Sequence, residues 1–193
     1  MRKIYAFDFD GTITTRDTMF LFLRGLSGMR KVVYALISEA PFIIMMKLGM
    51  YSRHNAKERL LRRFIAGRNI LDIDAFCNTL AVRHKDIIRG TAVAEIEKAK
   101  AEGAEVVVVT ASVENWVKPF LPGITVIGTK LETTPGGIVT GRLSTRNCCG
   151  SEKVKRLLEL YPDRESYYLA AYGDSSGDRE LLEFADEPHY KVF

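Results

Sequence analysis

Three hydrophobic runs that end in polar residues stand out along the chain. They are IYAFDFD at 4–10, EVVVVTAS at 105–112 and YYLAAYGDSSGD at 167–178. Continuous apolar runs of this length predict strands that are buried on both faces, which is typical of a parallel sheet. The shorter segments ITVIG and HYKVF predict further strands, and 129–144 predicts a hairpin with its turn at PGG.

Helical patterns separate these strands. They predict helices at 88–102, ended by Gly103, at 112–120 with Ser112 as N-cap, at 151–161 and at 177–185. The alternation indicates an α/β fold, a parallel sheet between two layers of helices. Residues 15–87 break the alternation, because they contain about four helical stretches and no convincing strand. We therefore expect a core made of 1–14 and 88–193, interrupted by an all-helical insertion at 15–87.

The composition is that of a soluble globular chain of 193 residues, 47% hydrophobic and 27% charged. The net charge of +4 is too small to predict nucleic-acid binding, although the basic cluster between Arg53 and Arg68 can attract an anionic substrate. The three cysteines, Cys77, Cys148 and Cys149, have no CxxC spacing and are expected to be reduced thiols rather than metal ligands. With no signal-peptide pattern before the first strand, we expect a cytoplasmic location.

The most apolar segment is VVYALISEAPFIIMMKLGM at 32–50. Glu39, Pro41 and Lys47 make it a poor membrane span. It remains compatible with a hydrophobic helical hairpin, with an interfacial surface in peripheral contact with a membrane, or with a cap helix packed against its neighbours. The pattern favours the packed cap helix.

Polar side chains follow the ends of the three main strands. In an open parallel sheet, the carboxyl ends of the strands form the ligand site. Carboxylates without His or Cys companions favour Mg²⁺, whereas hydroxyls, turn N–H groups and a lysine suit phosphate oxygens. The pattern thus predicts Mg²⁺-dependent phosphoryl chemistry with an aspartate available as nucleophile. The residues concerned are Asp8, Asp10, Thr12, Thr110, Ser112, Asp174 and Asp178, with Lys153 from the helix at 151–161.

With these motifs the chain resembles the haloacid dehalogenase-like superfamily, and within it the phosphoserine phosphatase-like branch. The resemblance rests on four ordered motifs: DFDGT at 8–12, VVVVTAS ending at 112, Lys153 in NCCGSEKV, and GDSSGD at 173–178. It implies a Rossmann-like three-layer α/β/α core, with residues 15–87 as a C1-type helical cap over the site.

The resemblance also implies a role for each residue. Asp8 would be the nucleophile that becomes an aspartyl phosphate, and Asp10 the general acid and base, which requires a raised pKa. Thr110, Ala111 and Lys153 would bind the phosphoryl group, and Asp178 would orient the metal shell or Lys153. Mg²⁺ would be held by the Asp8 side chain, the Asp10 backbone carbonyl and the Asp174 side chain.

The cap would select the substrate, a small-molecule phosphate ester. In serine phosphatases of this branch, an acidic residue and a cap arginine hold the amino acid, and Asp17 and Arg59 are the candidates here. Asp17 also fits as a helix N-cap, and Arg59 as part of a solvated basic face. The resemblance implies a phosphomonoester hydrolase for a phosphoserine-like or other amino-alcohol phosphate. A lipid head-group phosphatase of the phosphatidylglycerophosphatase type and a phosphotransferase stay open, and the sequence leaves the oligomeric state open too.

Overall fold

The predicted strands form one five-stranded parallel sheet in the computed structural model, which describes residues 1–193. Its strands are β1 (Arg2–Phe7), β2 (Glu105–Val113), β3 (Thr125–Thr129), β6 (Tyr167–Gly173) and β7 (Glu187–Tyr190). Their order in the sheet is β3-β2-β1-β6-β7, so the first strand of the chain lies at the centre. The predicted hairpin is also present, as the antiparallel pair β4 (Leu131–Thr133) and β5 (Val139–Leu143).

The insertion after β1 consists of four helices. They are α1 (Thr18–Ser27), α2 (Met29–Lys47), α3 (Arg53–Ile65) and α4 (Ile70–Arg83), and a 3₁₀ turn follows at Lys85–Ile87. Three of them begin at a side-chain N-cap, namely Asp17, Ser52 and Asn69, whose oxygens accept hydrogen bonds from backbone N–H groups of the first turn. The domain boundaries at 14/15 and 87/88 stay a prediction.

Helices cover both faces of the sheet, as predicted for an α/β fold. Along β1, Ile4 and Ala6 face one apolar layer while Tyr5 and Phe7 face the other. The Ile4 layer contains α7 (Ser151–Leu160) and α8 (Arg179–Phe184). The Phe7 layer contains α5 (Gly90–Ala101), α6 (Glu114–Val117) and the buried residues of the insertion, so the inserted helices share a core with the sheet.

Two local expectations were wrong. The first strand ends at Phe7, so Asp8 and Asp10 lie in the turn that follows rather than within the strand. Ser112 is not an N-cap, because β2 continues to Val113 and the next helix makes no side-chain cap hydrogen bond. Among the alternatives that stayed open for the apolar segment, the helical hairpin is excluded, because α2 runs unbroken from Met29 to Lys47 with Pro41 inside it. None of the helices is long and apolar enough to cross a membrane.

The β4–β5 hairpin is attached to the insertion by backbone hydrogen bonds. Val139 donates to the Arg68 carbonyl at 2.8 Å and accepts from Gly67 at 2.9 Å. On β5, Gly141 has a φ of +85°, and a Cβ there would lie 2.7 Å from Arg62 Cγ and 2.9 Å from Ala66 Cβ on the neighbouring helix. The hairpin therefore fixes the end of α3 relative to the core.

We predict that Gly141→Ala destabilises the protein more than Gly123→Ala. Gly123 has a similar φ of +80° but no atom within 4 Å of the added Cβ, so its variant suffers only backbone strain, about 1–2 kcal/mol. Gly141→Ala adds a steric clash with α3, expected to cost about 1–3 kcal/mol more. Urea unfolding of both variants measures the difference, and equal losses would contradict the close approach of β5 to α3.

Candidate active site

Asp8, Lys153 and Asp178 form a buried charged group at the carboxyl edge of the sheet. Asp8 follows the last residue of β1, and its backbone N–H donates to the Tyr172 carbonyl oxygen at 2.8 Å. Lys153 Nζ, from the first turn of α7, lies 2.5 Å from Asp8 Oδ1 and 2.5 Å from Asp178 Oδ1. All three side chains are buried, so one ammonium group compensates two carboxylates away from water.

The pKa values of this group follow from burial and from the shared lysine. Burial raises the pKa of Asp8 to about 7, although the Lys153 charge opposes the rise. Burial favours neutral Lys153, but its two carboxylate partners outweigh burial and raise its pKa above the ordinary value. At Asp178 burial is also outweighed, by Lys153 and by hydrogen bonds from Ser175, so the pKa is lowered. Lys153 therefore stays positively charged.

Asp174 completes a set of three carboxylates beside the end of β6. Oxygen atoms of Asp8, Asp174 and Asp178 lie within 4.8 Å of one another. Asp178 has both oxygens occupied, one by Lys153 and the other by the Asp174 and Ser175 N–H groups and the Ser175 hydroxyl. Gly11 approaches from the other side with a φ of +86°, where any Cβ would collide with the Asp174 carboxylate.

These residues fit a hard divalent cation. Asp8 and Asp174 present carboxylate oxygens to the same space, while Asp178 supports Lys153 and the loop. The carbonyl oxygen of Asp10 accepts none of the backbone hydrogen bonds in this turn. An all-oxygen set of two carboxylates and a carbonyl is the ligand type that Mg²⁺ prefers.

Asp10 is held between the core and the insertion. Its Oδ1 accepts hydrogen bonds from the Thr18 backbone N–H at 2.7 Å and the Thr18 hydroxyl at 2.6 Å, both at the start of α1. Its Oδ2 accepts a hydrogen bond from the Ser112 hydroxyl on β2. Burial raises the pKa of Asp10, and these hydrogen bonds only partly offset the rise. This upward direction is the one that the role of general acid requires.

Thr110 and Ala111 lie near the carboxyl end of β2 and line the same cavity as Lys153. Thr110 Oγ1 accepts a hydrogen bond from the Ser112 N–H at 3.0 Å, within the stretch where the pairing of β2 with β3 is irregular. The Ala111 carbonyl accepts hydrogen bonds from Lys57 of α3 and from the Thr129 hydroxyl. Lys57 Nζ also donates to Asn147 Oδ1 at 3.1 Å, and burial lowers its pKa to about 8. Lys57 of the insertion thus contacts the core beside the carboxyl edge of the sheet.

A cavity of about 460 Å³ joins these groups to the insertion. The charged edge of the sheet and the insertion both contribute to its lining. The lining residues of α1 and α2 are apolar, and α3 contributes two cations, Arg53 and Lys57. The lining includes Asp8, Asp10, Thr110, Ala111, Lys153, Asp174 and Asp178 from the core and Asp17, Met19, Phe20, Leu36, Ile43, Met46, Arg53, Ala56, Lys57 and Leu60 from the insertion.

The structure separates the two predicted specificity residues. Asp17 lines the cavity and is also the N-cap of α1, where its side chain accepts from the Phe20 N–H at 3.2 Å. Arg59 is not brought to the cavity. It donates to Glu39 Oε2 at 2.8 Å and lies 3.7 Å from the Phe42 ring centroid, so its contacts are with α2. The basic residues of the insertion that line the cavity are Arg53 and Lys57.

A helical pattern could have identified these residues. Arg53, Ala56, Lys57 and Leu60 follow the i, i+3, i+4, i+7 spacing of one helix face, and that face lines the cavity. Arg59 and Arg63, spaced i, i+4, occupy another face and both bind Glu39. Thr18 had no comparable signal, because its contact with Asp10 depends on how α1 meets the core.

Comparisons with known proteins give the family and the fold of the chain. The model of the haloacid dehalogenase-like hydrolase family matches residues 5–183. Protein CicA of Caulobacter vibrioides is 36% identical, over 98% of this chain and 86% of its own length. A Bordetella pertussis Tohama I protein of unknown function has a similar structure, with a TM-score of 0.84 and 21% identity over 97% of this chain and 89% of that one.

A phosphoserine phosphatase solved as a phospho-aspartyl intermediate analogue has the same fold. Its TM-score is 0.65, with 19% identity over 95% of this chain and 83% of that one.

We predict that Lys153→Met destabilises the protein by about 3–5 kcal/mol near pH 8, because two buried carboxylates lose their compensating charge. Without Lys153 the folded-state pKa of Asp8 rises further above its unfolded value, and the pKa of Asp178 loses the charge that lowers it, so that burial raises it instead. Stability from such groups is present at low pH and lost as pH rises. The deficit relative to the unmodified protein should therefore be smaller at pH 5 than at pH 8.

Denaturant unfolding at both pH values measures this deficit. Lys155→Met is the matched control, because Lys155 lies on the same helix and is exposed. The control should change stability by less than about 0.5 kcal/mol at either pH. A deficit for Lys153→Met that does not depend on pH would contradict the pairing.

Proposed function

We propose that this chain, which belongs to the haloacid dehalogenase-like hydrolases, is a Mg²⁺-dependent phosphomonoesterase that works through an aspartyl phosphate on Asp8. The observation that carries the proposal is the Lys153 bridge between Asp8 and Asp178 next to Asp10, in the cavity between the sheet edge and the insertion. This arrangement supplies a nucleophile, a fixed positive charge and a second carboxyl group at one edge of the sheet.

Asp8 is suited to attack phosphorus. Lys153 holds one of its oxygens, so the carboxylate has a defined orientation. A carboxylate approaching a phosphate dianion meets repulsion, and the ammonium of Lys153 reduces that repulsion and stabilises charge on the equatorial oxygens. In the attack, an Asp8 oxygen forms a bond to phosphorus while the bond from phosphorus to the ester oxygen breaks. The residue becomes an acyl phosphate.

Asp10 is suited to transfer the proton. A leaving alkoxide needs a proton, and the raised pKa of Asp10 favours the protonated form that can donate it. The carboxylate left behind then accepts a proton from the water that hydrolyses the aspartyl phosphate. Hydrogen bonds from Thr18 and Ser112 fix its orientation, so the proton is delivered from one position.

Mg²⁺ would be held by Asp8, Asp174 and the Asp10 carbonyl, with Asp178 supporting Lys153. When bound, the ion supplies positive charge to the phosphate oxygens and reduces their repulsion of the nucleophile. Thr110 and the Ala111 backbone, near the carboxyl end of β2, would bind the transferring phosphoryl group together with Lys153.

The substrate is proposed to be a small phosphate monoester. Asp17 and Arg53 line the same cavity with opposite charges, which suits the ammonium and acidic groups of an amino-alcohol phosphate such as phosphoserine. A lipid head-group phosphate is the second candidate. The apolar lining residues Met19, Leu36 and Ile43 favour it.

We predict that Asp8→Asn lowers the hydrolysis of p-nitrophenyl phosphate by about 10³-fold or more, since the amide cannot act as the nucleophile. EDTA should abolish the activity of the unmodified protein and added Mg²⁺ should restore it. Phosphate release is the measurement, and Asp72→Asn, at an exposed position on α4, is the control. Full turnover by the Asp8→Asn protein would exclude the proposed mechanism.

A panel of phosphoserine, phosphoethanolamine and a phosphatidylglycerophosphate analogue then tests the substrate class. Phosphate release that falls short of substrate loss when an acceptor alcohol is present would show phosphotransfer instead of hydrolysis.

A further inference from the structure

The solvent side of α2 carries a continuous apolar row. We define the outer face of α2 as Val33, Tyr34, Ile37, Pro41, Ile44 and Leu48, in which successive members are mostly three or four residues apart. Ile37 and Leu48 are each 68% exposed, and Ile44 is 57% exposed. Single exposed apolar residues are ordinary, but a row of this length along one helix marks a contact surface.

The outer face adjoins the mouth of the cavity. Leu36 and Ile43 line the cavity, and the residues that follow them, Ile37 and Ile44, belong to the outer face. Phe20 of α1 also lines the cavity and is 43% exposed. One helix therefore presents apolar side chains both to the substrate space and to solvent.

The charge around the outer face is positive. Arg30 and Lys31 lie exposed in the first turn of α2, and Lys47 lies exposed in its last turn. The only acidic residue of α2, Glu39, is buried at 3% exposure and paired with Arg59 and Arg63. The exposed surface of this helix consequently carries no negative charge.

The same asymmetry holds for the whole region. Residues 16–68 contain eleven basic and three acidic residues, a net charge of +8, whereas the whole chain has a net charge of +4. The rest of the chain is therefore acidic, and the positive potential is concentrated on the first three inserted helices. A surface that is apolar at its centre and basic at its edges complements an anionic lipid bilayer.

We infer that the outer face of α2 docks on an anionic bilayer surface and places the mouth of the cavity at the lipid head groups. The helix would lie in the interface with its apolar row inserted, because no helix here is long and apolar enough to cross. A phosphomonoester lipid could then place its phosphate at Asp8 and keep its acyl chains at the outer face. This last step rests on the proposed function, whereas bilayer binding does not.

A second copy of the chain is a less suitable occupant. A two-fold contact brings the same face of both copies together. Whether the paired helices ran parallel or antiparallel, Arg30, Lys31 and Lys47 of one copy would approach the same set of cations on the other. No exposed acidic residue of α2 is available to compensate them. Anionic lipid compensates these cations and covers the apolar row at the same time.

The test is sedimentation of the 193-residue chain with vesicles of phosphatidylcholine, with and without phosphatidylglycerol. We expect binding to the anionic vesicles that weakens in high salt and is much lower for phosphatidylcholine alone. An Ile37→Asp, Ile44→Asp double variant should bind about tenfold more weakly or worse. Because neither residue lines the cavity, the double variant should hydrolyse p-nitrophenyl phosphate in solution at an unchanged rate.

The matched control is a Leu71→Asp, Val82→Asp double variant. These residues are 70% and 66% exposed on α4, on the same insertion, and the control should bind vesicles as the unmodified protein does. Equal losses in both variants, or no binding to anionic vesicles, would overturn the inference. A stable dimer that the α2 variant dissolves would do so too and would assign the outer face to a second copy. Loss of p-nitrophenyl phosphate hydrolysis by EDTA tests the proposed function separately, without vesicles.

Discussion

The buried ammonium of Lys153 is the interaction on which the active edge of the sheet depends. Asp8 comes from the turn after the first strand, Lys153 from α7 and Asp178 from the loop after β6, so three distant parts of the chain meet at one charge. Without this lysine the two carboxylates would repel each other, and their charges would be costly to bury in apolar surroundings. Asp178, fixed in turn by Ser175 and the backbone of Asp174, positions the lysine as well as balancing it.

A second connection links the chemistry to the insertion. Asp10 accepts hydrogen bonds from Thr18 at the start of α1 and from Ser112 on β2. Lys57 of α3 makes a similar crossing contact to the Ala111 carbonyl. The position of the inserted helices and the orientation of the Asp10 carboxyl group are therefore coupled. Binding of a substrate under these helices would act directly on the geometry of Asp10.

α2 has a different role from α1 and α3. Its buried side holds Glu39 between Arg59 and Arg63, its cavity side is apolar, and its outer face is apolar and exposed. Pairing the one acidic residue internally leaves the exposed surface of the helix positive. The same helix thus joins the architecture of the substrate space to the proposed bilayer contact, and the two share a boundary at Leu36 and Ile37.

The sequence by itself predicted the parallel sheet, the helical content of the insertion, the hairpin and the residues at the sheet edge, including Lys153. These follow from local patterns, since apolar runs specify strands and the carboxyl ends of parallel strands meet at one edge. The tertiary structure decided which insertion residues reach the cavity. Arg53 and Lys57 do so and Arg59 does not, because the rotation of α3 about its axis is set by packing against the core and the hairpin. Thr18 meets Asp10 for the same kind of reason, through a contact between segments that no local pattern relates.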